Sequence, residues 1–375
     1  MSAPEPMPGR GHSGRIVNAA ATLTKLGGSV MRPETLAAMA DAGSRYIDLP
    51  QAYRRAGEHL AALTGNEAAA VTAGAAAGLS LAVASCVTVG HEDVLESFPA
   101  IPAHLPDEVV MLTPQRNAYD LSARQLGVRI VECEADPQAL AAVLGPRTAC
   151  VLWFAGTQYP APGITLPEIV ALAHERQVPV LVDAAAQIPP VSSLWHYTVE
   201  AGADLVVFSG GKGLRGPQTS GLVLGRGDLV AGVGVHASPH HGIGRGYKVG
   251  KEELAGIVHA VEASLAADEP ALLQSYEDQV RTWIEELTGA TGPAVAAVHA
   301  WQGYPSEAGQ PHPRAMLTLP GPRAEELTSL LWDQDPRVVV LVTASDTIAL
   351  NPQPLLPGEG EAVTGGVLRA LQSLR

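Results

Sequence analysis

The chain has 375 residues, of which 46% are hydrophobic and 17% charged, and its formal net charge is −14. This length allows one large domain with a smaller one, or two comparable domains. Binding to a phosphate backbone relies on clustered lysine and arginine, so the acidic balance argues against a nucleic-acid partner.

Residues 1–14 contain no apolar core of a signal peptide and are expected to be disordered. From 15 to 64, helical periodicity dominates, which predicts an N-terminal helical segment with helices over 31–43 and 53–64. Gly65 is a plausible C-cap of the second helix, because glycine readily adopts the left-handed conformation found there.

Short apolar runs then alternate with helical patterns as far as about residue 245. Such alternation predicts a large α/β domain over 65–245, with a mostly parallel central sheet and helices on both faces. Strands are expected at 68–74, 109–112, 128–133, 149–155, 178–184, 205–209 and 221–225. Helices are expected at 75–86, 117–127, 137–144 and 166–177, the second ended by Gly127 and the last capped by Thr165.

The glycine-rich stretch HHGIGRGYKVG (240–250) reads as a connection to a second unit. A strong amphipathic helix pattern follows at 251–267, and the apolar runs at 338–352 and 363–375 predict further strands and a helix. A smaller C-terminal α/β domain over 246–375 is therefore expected. No apolar run reaches the roughly 18 residues that a membrane span requires, so we expect a cytoplasmic protein without a membrane partner.

The three cysteines, Cys86, Cys133 and Cys150, form no CxxC pair and lie in apolar surroundings, which predicts buried, reduced thiols. The histidines of VHASPHHG, His236, His240 and His241, have no matching ligand pair, so no metal site is expected. One of these histidines could instead contact a substrate.

Lys212 stands among glycines in SGGKGLRGPQTSG (209–221), directly after an apolar strand. GGKG is not a Walker A loop, because Gly213 follows where serine or threonine should stand, and GIGRGYKVG matches a dinucleotide-binding loop poorly. Asp183 closes the apolar run VPVLV, where an unpaired carboxylate would be costly to bury.

A lysine amine, a carboxylate for a pyridinium nitrogen and a helix N-terminus for a phosphate are what pyridoxal phosphate chemistry requires. The small-residue turn from Thr72 to Ala76 opens a helix and could supply the last of these, with Ser209 adding a hydroxyl group. All these positions follow predicted strands, where ligands bind in open α/β sheets.

The stretches VLVDAAAQIPP, ADLVVFSGGKGLRGPQTSGLVLG and IGRGYKVGKEELAGIVHAVE resemble fold-type I pyridoxal phosphate enzymes. Within these, the chain is similar to the selenocysteine synthase (SelA)-like group, which includes D-glucosaminate-6-phosphate ammonia-lyase-like proteins. The resemblance covers almost the whole chain, and SGGKGLRGPQTSG is its most specific part. It implies a pyridoxal phosphate transferase-like fold and a homodimer or higher assembly with active sites at the subunit interface.

The resemblance also implies roles for particular residues. Lys212 would be the Schiff-base lysine and Asp183 the partner of the ring nitrogen. Gly74, Ala75 and Ser209 would lie around the phosphate, and Ala76 belongs to the same small-residue turn. Gln115 or Arg116 would lie over the ring face, where a histidine is common in this fold, and Gln187 near the ring hydroxyl. The candidates for substrate binding are Arg215 and Gln218 of the shared loop and, from a local basic cluster in the sequence, Arg245 and Lys248.

The expected function is that of a pyridoxal phosphate-dependent lyase in amino acid metabolism. It would act at the α-carbon of a small amino acid or amino sugar acid, with β-elimination and deamination through a Schiff base at Lys212. A racemase or epimerase, with Tyr119, Gln115 or a histidine as second proton donor, and an aldolase are alternatives. A binding protein that keeps the fold is the non-enzymatic alternative.

Overall fold

A computed structural model describes residues 14–91, 97–291, 297–301 and 310–374. The disorder expected for residues 1–14 concerns positions that, apart from Gly14, lie outside the described residues. The strands and helices, in chain order, are β1 Ile16–Asn18, α1 Pro33–Gly43, α2 Leu49–Thr64, β2 Ala68–Thr72, α3 Ala75–Thr88, β3 Glu108–Leu112, α4 Leu121–Arg124, β4 Arg129–Cys133, α5 Pro137–Val143, β5 Thr148–Phe154, α6 Leu166–His174, β6 Val180–Asp183, α7 Ser193–Trp195, β7 Leu205–Ser209, β8 Gly221–Gly225, α8 Gly227–His236, α9 Lys251–Leu265, α10 Glu269–Thr291, β9 Ala297–Trp301, β10 Arg314–Thr318, α11 Ala324–Trp332, β11 Arg337–Val339, β12 Leu341–Ala344, β13 Thr347–Leu350 and α12 Gly360–Ser373.

The larger of two compact units comprises residues 24–269 and 307–310. It contains a seven-stranded sheet in the order β2-β8-β7-β6-β5-β3-β4. β8 runs antiparallel to both of its neighbours, and the other pairs are parallel. The predicted mostly parallel sheet of a fold-type I enzyme is confirmed.

Both faces of this sheet are buried, because alternate residues of a strand enter different cores. In β6, Val180 and Val182 belong to one apolar cluster and Leu181 to the other. This arrangement explains why the strands read as continuous apolar runs rather than as alternating ones.

Capping residues define several helix ends as the sequence predicts. Gly65 closes α2 at φ 66°, and Thr165 forms a capping box with Glu168 at the start of α6. The helix expected at 117–127 is shorter: a 3-10 turn occupies Ala118–Asp120, and α4 ends at Arg124.

The smaller unit comprises residues 1–23, 270–306 and 311–375. Its four-stranded antiparallel sheet has the order β12-β13-β10-β9, and β1 pairs in parallel with β11. α9, which follows the expected boundary at 245, belongs to the larger unit by its contacts. The domain limits expected from the sequence stay a prediction.

No helix among the described residues is long and apolar enough to cross a membrane. Cys86, Cys133 and Cys150 are buried and free, as predicted.

Candidate active site

The loop that carries Lys212 begins where β7 ends, at Ser209. Its two ends are joined by main-chain hydrogen bonds: Gly210 N–H donates to Ser220 O at 2.8 Å, and Gly216 N–H donates to Gly210 O at 2.8 Å. The loop is therefore a closed turn of main chain that fixes where the lysine leaves the sheet.

Glycine is required at the position after the lysine. A Cβ atom at Gly213 would lie 1.9 Å from the carbonyl oxygen of Ile188, a distance at which one main chain must move. The loop therefore packs directly against the segment that follows Asp183, without side chains between them.

Asp183 is the last residue of β6 and pairs in register with Phe154 of β5 and Val207 of β7. Its carboxylate is buried, and Oδ1 accepts a hydrogen bond from Ala185 N–H at 2.9 Å. Burial raises its pKa above the ordinary value, while the Ala185 N–H and the nearby Lys212 act in the opposite direction.

The same two effects, burial and the opposite charge, act on the pKa of the Lys212 amine. Burial lowers its pKa, and the attraction of the Asp183 carboxylate opposes that shift. The carboxylate and the amine therefore interact across the carboxyl edge of the sheet. A lysine whose pKa is lowered has a larger neutral fraction near neutral pH, which is the form that attacks an aldehyde or takes a proton.

The predicted phosphate-binding turn lies at the same edge. Thr72 of β2 and Ser209 of β7 are both in register with Gly221 of β8, which lies between the two strands. Gly74 precedes α3 at φ 97°, and no side chain caps the helix. The first N–H groups of this 14-residue helix are thus available to an anion beside the Ser209 hydroxyl.

A segment near the N-terminus of the larger unit binds the lysine loop from outside. Ser29 donates from N–H and from Oγ to Gly211 O, at 2.8 and 3.0 Å, and Arg32 Nη1 donates to Leu214 O at 3.0 Å. We call residues 28–32 the N-terminal strap. Nothing in the local sequence pattern indicates this contact, because it joins residues about 180 positions apart.

Two substrate-binding candidates, Arg215 and Gln218, also contact the strap. Arg215 has φ 57° and donates from Nε to Val30 O at 2.9 Å. The Gln218 side chain lies so close to Gly28 that a Cβ there would be 2.0 Å from Oε1. Both residues therefore help to hold the loop in place.

The two glutamines predicted near the cofactor ring bind main chain. Gln115 is fully buried, and its amide bonds Phe154 and Tyr159. Gln187 is buried and donates from Nε2 to Ala155 O at 3.2 Å. The neighbouring Arg116 forms ion pairs with two carboxylates instead. Its Nη2 lies 2.6 Å from Asp120 Oδ2, and its Nη1 pairs with Glu132.

The remaining candidates lie apart from these contacts. Arg245 and Lys248 are exposed on the connection between α8 and α9. His236 is wholly buried, and its Nε2 lies 2.7 Å from Thr88 Oγ1, so the possibility that it contacts a substrate is not supported. Within the ranges that the structure describes, no group of His, Cys, Asp and Glu could hold a metal ion.

Tyr159, which the sequence did not single out, lies near Asp183. Burial raises the pKa of its phenol, and Tyr119 and the Asp183 carboxylate act in the same direction, against a hydrogen bond from Gln158. The only sequence signal is a tyrosine shortly after the predicted strand at 149–155, which is weak evidence for a site.

The arrangement fits pyridoxal phosphate. It offers a lysine amine whose pKa burial lowers, a buried carboxylate for the ring nitrogen, and an uncapped helix N-terminus for the phosphate. A Cβ at Gly221 would lie 2.6 Å from the carbonyl carbon of Gly74, so the turn is built for close main-chain approach.

Comparison with known proteins gives the same result. The Aminotransferase class-V family matches residues 117–240. A 5'-C-glycyluridine monooxygenase-decarboxylase from Streptomyces sp is 37% identical over 68% of this chain and 64% of its own length. D-glucosaminate-6-phosphate ammonia lyase from Salmonella typhimurium is 32% identical over 66% of this chain and 67% of its own. An L-seryl-tRNA(Sec) selenium transferase from Moorella thermoacetica is 27% identical over 97% of this chain and 83% of its own length.

A solved structure of D-glucosaminate-6-phosphate ammonia-lyase superposes with a TM-score of 0.80 at 25% identity, covering 96% of each chain. The aligned part of this chain spans less than two thirds of the monooxygenase-decarboxylase and about two thirds of the curated ammonia lyase. Together with the site geometry, these likenesses show that the chain belongs to the fold-type I pyridoxal phosphate-dependent enzymes, in the group that includes D-glucosaminate-6-phosphate ammonia lyase and the SelA-type selenium transferases.

Proposed function

We propose that the protein is a lyase that removes a β-substituent and then ammonia from a small amino acid or amino sugar acid. The observation that carries this proposal is the buried Asp183 carboxylate at the end of β6, with the Lys212 loop packed against the segment that follows it through Gly213 and Ile188. The 32% identity to an ammonia lyase supports the same class of reaction.

Pyridoxal phosphate, when bound, withdraws electrons from the α-carbon of an attached amine and so weakens its bonds. The chain's own residues supply the rest. Lys212 attaches the cofactor through Nζ and, when released, takes the proton from the α-carbon. Asp183 keeps the ring nitrogen protonated, and the N–H groups that begin α3, with Ser209, hold the phosphate.

Arg245 and Lys248, which are exposed, are proposed to bind a carboxylate or phosphate on the substrate, and Arg215 of the lysine loop is a third candidate. A net charge of −14 disfavours a tRNA substrate, so a small molecule is the expected ligand. We expect a cytoplasmic homodimer or higher assembly, which light scattering of the purified protein would test.

The cofactor proposal is tested by borohydride reduction. Reduction of the protein with pyridoxal phosphate should fix the cofactor to the peptide containing Lys212, with loss of the yellow colour. Lys212→Ala should remove both the label and turnover. A label on another lysine, or turnover by Lys212→Ala, would contradict the assignment.

The reaction is tested with candidate amino acids and phosphorylated amino sugar acids in deuterated water. Release of keto acid and ammonia supports elimination. Deuterium at the α-carbon without keto acid would instead support a racemase or epimerase, for which Tyr119 or Tyr159 could serve as second proton donor. An aldehyde product would indicate aldol cleavage.

A second candidate follows from the 37% identity to a monooxygenase-decarboxylase. In that case the substrate would lose its carboxylate with consumption of oxygen. An oxygen electrode together with measurement of released carbon dioxide distinguishes this reaction from elimination, which consumes no oxygen.

A further inference from the structure

The loop after β5 is held in place by the side chains of two buried glutamines. Gln115 Nε2 donates to Phe154 O at 3.2 Å and to Tyr159 O at 3.0 Å, and its Oε1 accepts from Phe154 N–H at 2.9 Å. Gln187 Nε2 donates to Ala155 O at 3.2 Å. We call these contacts the glutamine clamp.

Main-chain bonds complete the anchoring. Ala155 N–H donates to Asp183 O at 2.8 Å, and Tyr159 N–H donates to Gly156 O at 3.1 Å. The loop from Phe154 to Tyr159 is therefore bonded at both ends, and one end is bonded directly to the residue whose carboxylate is proposed to face the cofactor.

Fully buried amides are costly unless their hydrogen bonds are satisfied, and Gln115 satisfies both its donor and its acceptor on this loop alone. A connection between β5 and α6 would not by itself need a buried amide that bonds two points five residues apart. The Gln115 amide therefore holds the main chain of the residue at the far end of this stretch in a fixed position relative to β5.

That residue is Tyr159. Its ring packs against Phe154 with centroids 5.2 Å apart, and the residue is partly exposed. Phe154 pairs in register with Asp183 on the neighbouring strand, so the tyrosine packs beside the end of β6 that carries the carboxylate. The Asp183 carboxylate raises the pKa of the phenol, in keeping with this placement.

A tyrosine phenol carries its proton at neutral pH, since its ordinary pKa is 10.0, and can give that proton to an oxygen atom that leaves the substrate. At Tyr159, burial, Tyr119 and the Asp183 carboxylate raise the pKa further, and a hydrogen bond with Gln158 opposes them.

We propose that Tyr159 is a catalytic residue that protonates the leaving group, and that Gln115 is a positioning residue that holds it there. This inference rests on the proposed elimination. As Lys212 takes the α-proton, the C–H electron pair forms the Cα–Cβ double bond while the Cβ–O bond breaks. The electron pair of the Cβ–O bond goes to the oxygen, which takes the Tyr159 proton and departs as water. The protonated Lys212 amine returns the proton to the Tyr159 oxygen.

Tyr159→Phe is the first test, since it keeps the ring and its packing on Phe154 and removes only the hydroxyl. The control is Tyr197→Phe, whose ring packs against Trp153 and Phe208 in the core. For a β-hydroxy substrate, kcat of Tyr159→Phe should fall about 100-fold, within the range of a general acid. Pyridoxal phosphate affinity and borohydride labelling of Lys212 should match those of the control.

Two further readouts test the assignment. In an ultraviolet titration, the tyrosines whose pKa is raised, Tyr53, Tyr159 and Tyr197, should ionise late, and Tyr159→Phe should remove one of these late transitions. A substrate with a better leaving group than hydroxide should restore much of the lost rate, because it needs no proton. Activity of Tyr159→Phe within about twofold of the Tyr197→Phe control would overturn the proposal while leaving the lyase function intact.

Gln115→Met tests the clamp, because methionine has a similar volume but no amide. It should lower kcat as Tyr159→Phe does, and the double variant should be no worse than either single variant, since both remove the same proton donor. Additive losses would overturn the positioning role. If the unaltered protein binds pyridoxal phosphate at Lys212 but releases no keto acid from any substrate, both the elimination and this inference fail.

Discussion

Gly221 of β8 lies against the main chain of Gly74 so closely that a Cβ at Gly221 would be 2.6 Å from the Gly74 carbonyl carbon and 2.9 Å from Ala75 N. Gly221→Ala should therefore displace the start of α3. Overpacking of this kind costs about 1–3 kcal/mol, so we expect pyridoxal phosphate affinity to fall roughly tenfold or more in an absorbance titration. Gly145→Ala is the control, because no heavy atom lies within 4 Å of the added Cβ. Equal affinities of the two variants would contradict this account of the phosphate turn.

Two adjacent glycines at the start of the N-terminal strap, Gly27 just before it and Gly28 within it, differ in what an added Cβ would meet. Gly27 and Gly28 both have positive φ, at 85° and 79°, so alanine at either should cost about 1–2 kcal/mol of unfolding free energy. Only at Gly28 would the new Cβ also meet the lysine loop, 2.4 Å from Gly211 O. In urea unfolding, Gly28→Ala should be the less stable variant and should label more slowly at Lys212 with borohydride. Equal stability and labelling would show that the strap does not position the lysine.

Asp183→Asn should stabilise the cofactor-free protein while it damages catalysis. Burial raises the folded-state pKa of Asp183, so the folded protein binds more protons than the unfolded chain, and the unfolding free energy falls as pH rises through that window. Relative to the unaltered protein, the variant should gain stability from about pH 4 upwards. With cofactor present, kcat should fall about 10²–10³-fold.

Asp41→Asn is the control, because we expect it to change the unfolding free energy in the opposite direction. Arg45 lowers the pKa of this exposed carboxyl, so its removal should slightly destabilise the protein above the ordinary carboxyl pKa. Denaturant titrations of both variants at several pH values measure the two slopes. If Asp183→Asn instead destabilised the cofactor-free protein near neutral pH, groups besides Lys212 and Ala185 would have to stabilise the Asp183 carboxylate of the unaltered protein.

His236 should contribute to acid sensitivity. Burial lowers its pKa from 6.5 to about 4, against an opposing hydrogen bond from the imidazole to the main chain of Ala84. The unfolded chain therefore binds the extra proton first, and about 3 kcal/mol of stability should be lost as pH falls from 6.5 through 4. His236→Gln should unfold with a shallower pH dependence than the unaltered protein, whereas His196→Gln, an exposed position, should not. Parallel slopes for all three proteins would refute the assignment.

Much of the larger unit could be predicted because its sheet is buried on both faces. β7 and β8 lie at the predicted residues, and Asp183 ends its strand as expected. Continuous apolar runs between helices leave few other arrangements, and Gly65 and Thr165 mark their helix ends by local chemistry.

The length predicted for the helix at 117–127 was wrong, and the hydrophobic periodicity of the sequence does not show why. Asp120 is buried and pairs with both Arg116 and Arg124, and Asn117 caps a 3-10 turn in front of it. These contacts draw the first turn out of α-helical geometry, although the residues themselves favour a helix.

The roles of the two glutamines and of the strap could not be predicted because they depend on distant main chain. Gln115 bonds residues 39 and 44 positions away, and Ser29 bonds a carbonyl 182 positions away. No local pattern encodes such partners. Tyr159 escaped notice for the same reason, since only the clamp makes an ordinary loop tyrosine part of the site.

The antiparallel insertion of β8 has a consequence for how the protein is made. The phosphate turn is synthesised near residue 74, but Ser209 and Gly221 are translated some 140 positions later, and among the described residues β2 pairs in this sheet with β8 alone. A nascent chain that ends before Gly221 therefore leaves β2 unpaired and lacks Ser209 or its neighbour in the sheet. We expect the cofactor to bind only after the ribosome has released the chain through Gly225.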